Sequence, residues 1–194
     1  MASAFSPAER EAIDRLLVKA ARQCAVSPGI RKTTLEQLTQ QAGISKSAFY
    51  KFYESKEHLF FKIMIDWHAQ IFAAAEEALK ACADLPVKDR VAKALVAAFD
   101  TMHKDGMVAA FSEDVPYLLR RLPQEFLEEK HSTYDAHISA LLDLVQANFT
   151  VPREHVHAML MVLTSSMLSR DRIGPLFQPA LETLVEGMCR MVIE

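Results

Sequence analysis

The chain is poor in residues that break helices: its 194 residues include only 5 glycines and 8 prolines. That usage excludes collagen-like and Pro/Gly-rich low-complexity classes and leaves room for long helices. Cysteine is also scarce. Cys24, Cys82 and Cys189 are far apart, odd in number and form no CxxC pair, so three reduced thiols are expected rather than a disulfide framework or a thiolate metal site. No apolar run approaches the roughly 20 residues a helix needs to span a bilayer. The opening "MASAFSPAER" has no basic start leading into an apolar stretch, so no signal peptide is expected. These absences together point to a cytoplasmic protein with no membrane partner. GxSxG, P-loop, HExxH and Cys/His motifs are missing as well, and an enzyme is not expected. His155 and His157 lie two apart on a predicted helix and His131 and His137 six apart, which is poor ligand spacing. Neither a metal nor a cofactor is expected.

What is present is helical periodicity. Half of the residues are hydrophobic, enough for a core in one large domain or two small ones. Ser6-Pro7-Ala8-Glu9 reads as a capped helix start, followed by Ile13, Leu16, Leu17, Ala20, Ala21 and Cys24 at helical spacing. Thr33-Thr34-Leu35-Glu36 reads as a capping box opening a second helix that Gly43 ends. Ser45 can cap a third from about Lys46 to Phe52, and Ser55 a long fourth with Leu59, Ile63, Trp67 and Ile71 in one stripe. Further helices are predicted over 87–103, after Pro116, from about Pro123 to Asn148, from Pro152 to about Arg170, and over about 177–192. No segment of useful length has strand periodicity. The chain reads as all-α, an N-terminal three-helix helix-turn-helix domain followed by a C-terminal helical bundle body.

Charge is uneven. Net charge is −3, yet residues 1–62 hold ten Lys or Arg against six Asp or Glu, and the acidic excess lies in the remainder. Within the basic part, "AGISKSAFYKFYESKEHLF" combines Phe49, Tyr50, Phe52, Tyr53 and Phe60 with Lys46, Lys51, Lys56 and His58. A core would reject the lysines and a solvated face the aromatics. A recognition helix in a major groove needs both, one side anchored in a small core and the other offered to phosphates and base edges. Ile44, Phe49 and Phe52 are the expected anchors. Ser45, Lys46, Ser47, Tyr50 and Lys51 would face the duplex, and Lys56, in the first turn of the fourth helix, would meet a phosphate.

Residues 31–60, "RKTTLEQLTQQAGISKSAFYKFYESKEHLF", resemble the DNA-binding segment of the tetracycline-repressor (TetR) family of bacterial regulators, and the likeness extends over roughly residues 8–65. The resemblance implies a two-fold dimer, with residues 1–53 as the DNA-binding domain and 54–194 as the effector-binding and dimerising body. By position it implies phosphate contacts for Thr33 and Thr34, groove-facing roles for Ser45, Lys46 and Ser47, backbone and flanking contacts for Tyr50 and Lys51, and a clamp at Lys56. Thr39 stands where the family usually has Ala at a tight crossing, and Ser47-Ala48 where Gly-Thr is common. The implied function is a ligand-responsive regulator, a repressor released from a palindromic double-stranded operator by a small molecule. The competing reading is an all-helical interaction protein without DNA binding, which would show no salt-dependent duplex affinity.

In the body, an apolar effector could be lined by Trp67, Phe72, Phe99, Met102, His103, Phe111, Tyr117, Tyr134, His137 and Leu141, while Glu113 and Asp114 read as solvated surface. The last two predicted helices carry Met159, Leu163, Ser166 and Met167, and Phe177, Leu181, Leu184, Val185 and Met188. These stripes serve either a homodimer interface or the chain's own core, and the family resemblance favours the dimer. Gly187 would let another backbone approach.

Overall fold

The computed structural model describes residues 5–104, 106–125, 127–128, 141, 144–145 and 147–194. Among them there is no strand, only an isolated antiparallel bridge between Phe149 and Ile193. The helices are α1 (Pro7–Val26), α2 (Leu35–Ala42), α3 (Lys46–Phe49), α4 (Lys56–Ala81), α5 (Val87–His103), α6 (Met107–Leu119), α7 (Arg153–Ser166), α8 (Arg170–Ile173) and α9 (Phe177–Val192). The protein is all-α, with an N-terminal helix-turn-helix and a helical body.

The chain divides into two compact units, Met1–Asp66 with Ala109–Glu128, and Trp67–Val108 with Glu129–Glu194. The unit that carries the helix-turn-helix is therefore larger than residues 1–53 and takes in most of α6. A boundary placed along the sequence could not reveal a segment returning from elsewhere in the chain.

In the first unit the caps set the helix entries. Ser6 Oγ accepts from the Glu9 amide at 3.3 Å, and Glu9 Oε2 accepts from the Ser6 amide at 2.8 Å, a reciprocal box that holds the Glu9 carboxyl below its usual range. The box opening α2 is displaced by one residue from the expected one. Thr34 is the N-cap and Gln37 its partner, because the glutamine side chain supplies the same acceptor as a carboxylate. Gly43 closes α2 at φ 68°, a left-handed conformation that favours glycine. Ser45 Oγ accepts from the Ala48 amide at 3.1 Å and starts α3. That helix is one turn long, and the chain leaves it through turns in which the Phe52 and Tyr53 amides still donate to the Phe49 carbonyl. Leu17, Ile30, Leu38, Phe49, Leu59, Phe60 and Ile63 are wholly buried. Thr39 is also buried, and its hydroxyl donates to the Leu35 and Glu36 carbonyls at 3.0 and 3.2 Å. Back-bonding to its own helix satisfies the hydroxyl that an alanine would lack.

Pro116 lies inside α6 rather than ahead of a new helix. The helix forgoes one amide donor there and keeps Phe111 and Leu118 buried on either side.

In the second unit α5 packs against α9. Phe177, Leu181, Val185, Met188 and Val192 recur at helical spacing along α9 and are buried with Ala92, Phe99, Leu163, Met167 and Cys189. The chain end is tied down by the Thr150 amide donating to the Val192 carbonyl at 2.9 Å and the Glu194 amide to the Asn148 carbonyl at 3.0 Å. The helix expected from about Pro123 to Asn148 falls largely outside the described residues. No helix among the described residues is long and apolar enough to cross a membrane.

Candidate nucleic-acid interface

The mixture of aromatics and lysines between Ala42 and Phe60 sorts by direction. Phe49 is wholly buried and meets Tyr50 edge-on at 5.7 Å and Tyr53 at 5.8 Å between ring centroids. Ile44 and Phe52 are half-buried. The Tyr53 hydroxyl donates to Asp14 on α1, and burial pushes that phenol's pKa upward. With one side held, Ser45, Lys46, Ser47, Tyr50 and Lys51 are exposed. Tyr50 is 59% exposed. Ser45 and Ser47 share a hydrogen bond of 2.9 Å.

The exposed lysines are placed by neighbours absent from the expected set. The Lys46 ammonium contacts the Glu36 carboxylate, and that hydrogen bond is the main cause holding Glu36 below the usual carboxylate range. Lys51 lies 5.3 Å from the centroid of the Phe5 ring. Arg10 reaches across from α1, its Nη2 donating to the Lys51 carbonyl at 3.2 Å while its guanidinium lies 5.0 Å from the Phe52 ring. The segment after α3 is thus braced by α1, through a contact that no local spacing announces.

Two expected contacts require correction. Thr33 is 1% exposed, and its hydroxyl donates to the Gly29 carbonyl at 2.7 Å, so it faces inward; Thr34, one residue on, is exposed. Lys56 is not poised for a phosphate. Its ammonium has three donors, and the carbonyls of Ile30, Arg31 and Thr33 accept from it at 3.2, 3.3 and 2.5 Å. Burial holds its pKa below the ordinary lysine value.

The expected effector residues are divided between the two units. Phe111 and Tyr117 belong to the first unit, and Trp67, Phe72, Phe99, Met102 and His103 to the second. Tyr117 donates to Glu57 Oε1 at 2.7 Å. Phe99 is part of the core against α9 and Met102 packs on it, while His103 is exposed and Leu141 half-buried. Tyr134 and His137 lie outside the described residues. Asp114, read as surface, is buried. A groove of about 420 Å³ opens instead in the first unit, lined by Asp14, Arg15, Val18, Lys19, Arg22, Gln23 and Lys62, none of them expected.

The expected interface stripe also needs correction. Leu163, Met167, Phe177, Leu181, Val185 and Met188 are buried inside their own chain, because the strongest apolar periodicity marks the core face. Met159 and Ser166 are half-buried. Leu184 alone of that set is exposed; Met161, Val162, Leu168, Leu176 and Met191 are exposed as well.

Comparison with known proteins bears on the same N-terminal geometry. Residues 17–63 match the family of bacterial regulatory proteins, tetR family. The uncharacterized HTH-type transcriptional regulator YerO of Bacillus subtilis (strain 168) is 22% identical over 190 residues, which take in 91% of this chain and 66% of that protein. This chain therefore spans just under two thirds of that relative's length. Among solved structures, a TetR family transcription regulator from Marinobacter aquaeolei VT8 superposes with a TM-score of 0.62 at 15% identity, over 97% of this chain and 100% of that one. FadR from Bacillus subtilis in complex with stearoyl-CoA gives 0.67 at 16% identity, over 90% and 96%. At these identities the likeness is one of fold.

Proposed function

We propose that this chain, a member of the tetR family of bacterial regulatory proteins, is a DNA-binding transcriptional regulator that reads a palindromic operator as a homodimer and is released from it by a small molecule. The observation that carries the reading is the exposed face of Ser45, Lys46, Ser47, Tyr50 and Lys51 standing on a wholly buried Phe49. Hydroxyls and ammonium groups there suit phosphates and base edges, and the rigid anchor lets a short helix keep its aim. Thr34 adds a hydroxyl at the entry to α2.

A second copy fits the exposed apolar side of the second unit. On α9, Leu184, Gly187 and Met191 share one face; Leu184 and Met191 are 59% and 76% exposed, and a Cβ built on Gly187 would have no neighbour within 4 Å. On α7, Met161 and Val162 are exposed likewise. Two-fold pairing would present two copies of α3 to half-sites on one duplex. The effector would be held by the second unit, and FadR bound to stearoyl-CoA makes a long-chain acyl thioester the first compound to offer. Effector and operator must then weaken each other by the same factor.

Selection of bound duplexes from a random pool tests the reading. A palindrome with two half-sites is expected, and Lys46→Ala should change the selected bases. Failure to retain any duplex at low ionic strength, where phosphate contacts are strongest, would overturn it.

A further inference from the structure

Asp114 is a buried carboxylate that the exposed face of α3 does not account for. It sits on α6, yet its Oδ2 accepts from the Ile30 amide at 2.8 Å and the Arg31 amide at 3.3 Å, 84 and 83 residues away in sequence. Its side chain belongs to a residue only 8% exposed. Gly29, just before these amides, holds φ +103°, a backbone conformation that side-chain-bearing residues rarely adopt, and a Cβ there would stand in ordinary contact, 3.6 Å, with the same oxygen.

The same two residues are also held by their carbonyls. Lys56 donates to the carbonyls of Ile30 and Arg31, and to that of Thr33 beyond them. An anion thus takes the N–H groups and a cation the C=O groups of one turn. Hydrogen bonds to ionised groups are the stronger kind, and a buried amide left without its acceptor is costly. Tyr117, three residues along α6 from Asp114, closes the arrangement. Its hydroxyl donates to Glu57, and its ring lies 5.8 Å from the Lys56 ammonium and 5.8 and 5.3 Å from the guanidiniums of Arg31 and Arg121. The turn held in this way carries exposed Arg31, Lys32 and Thr34 into α2.

We infer that Asp114 and Lys56 form an opposed pair of positioning residues that fixes the turn between α1 and α2, so that duplex affinity depends on a carboxylate of α6 that contacts no nucleic acid. The inference rests on reading the first unit as DNA-binding. Its sign is what distinguishes it. Deleting a negative charge makes the unit more cationic, and Coulomb attraction to a polyanion alone would tighten binding. Positioning requires the opposite.

The test uses the full chain, a labelled mixed-sequence duplex at low ionic strength, and amide hydrogen exchange. Asp114→Ala is expected to bind the duplex about tenfold more weakly, the scale of losing a charged acceptor from buried amides, and to speed exchange at Ile30 and Arg31. Asp114→Asn keeps an oxygen that both amides can reach and should fall between Asp114→Ala and the wild type in both measurements. Equal or tighter binding by Asp114→Ala overturns the inference, and so does unchanged protection of Ile30 and Arg31. Should Asp114→Ala not fold, Asp114→Asn decides alone: reduced protection at those two amides with α9 amides unaltered supports the pair, and unaltered protection overturns it. If the wild type ignores the duplex while the two amides loosen in the variants, the DNA-binding reading falls and takes the affinity claim with it, and the hydrogen-bond assignment stands.

Discussion

The two units resolve opposite mismatches between side chain and solvent. The first has polar groups inside: Thr33, Thr39, Glu57 and Asp114 are all buried, and each except Glu57, which accepts from Tyr117, is bonded to backbone. The second has apolar groups outside, with Val162, Leu176 and Met191 at 70%, 71% and 76% exposure. Buried polar bonds specify one arrangement, since each lost partner leaves a desolvated group behind. Exposed apolar side chains specify nothing until another apolar surface covers them. One unit holds an exposed hydrophilic face in fixed geometry, and the other leaves apolar side chains exposed.

The comparison breaks most visibly at Phe49. Its ring is wholly buried and is the anchor from which the exposed residues of α3 project. Phe49→Ala removes the ring and leaves a cavity, a change that typically costs about 3–5 kcal/mol. The expected outcome is lost amide protection in α2 and α3 with protection kept in α9, whose core of Leu181, Val185 and Met188 belongs to the second unit. Hydrogen exchange resolved by residue would show it. Simultaneous loss in α9 would mean that the two units melt as one, and the contrast between them would then have no energetic content.

Some of this contrast was legible in the sequence. The capped start of α1, the Gly43 stop and the split between buried Phe49 and exposed Lys46 follow from local chemistry, where side chain and backbone are a few residues apart. What escaped was set by distance or by symmetry of pattern. Asp114 looks like surface in its own neighbourhood, and only the fold brings it to Ile30. Lys56 carries the charge expected of a phosphate ligand, and only the fold shows carbonyls taking its three donors. On α9 both faces are apolar enough to read as an interface, and periodicity favoured the stripe at Leu181, Val185 and Met188 that the structure buries. A sequence marks apolar periodicity without saying whether the covering surface comes from the same chain.

A smaller effect is expected from the second unit's exterior. Leu184→Glu and Met191→Glu place charges on the exposed side of α9, where they cost little in an isolated copy because both residues already face water. If that side is covered by a second copy, each charge loses its hydration on association, and self-association should weaken at least about tenfold, or roughly 1.4 kcal/mol. Sedimentation over a range of concentrations would read it, with unfolding of the dissociated variant as the control. A variant that self-associates as the wild type does would place the partner surface elsewhere.

The smallest effect is one of pH. His68 stacks on Trp67 with ring centroids 5.4 Å apart, and burial lowers its pKa from the ordinary 6.5. The sign follows from proton uptake. Once unfolded, the imidazole protonates near its ordinary value, whereas the folded chain resists the proton until lower pH. Between those two values the unfolded state binds more protons, so stability falls as pH drops. Above 6.5 both states are neutral at this site and nothing is gained or lost. His68→Leu should therefore narrow the gap between urea midpoints measured at pH 8 and pH 5. Lys62, Asp66 and the other charged groups of the first unit are common to both proteins and cancel in that difference. An unchanged gap would mean that the imidazole is as free to take a proton in the folded chain as in the unfolded one, and that the interior around Trp67 is not as dry as its burial implies.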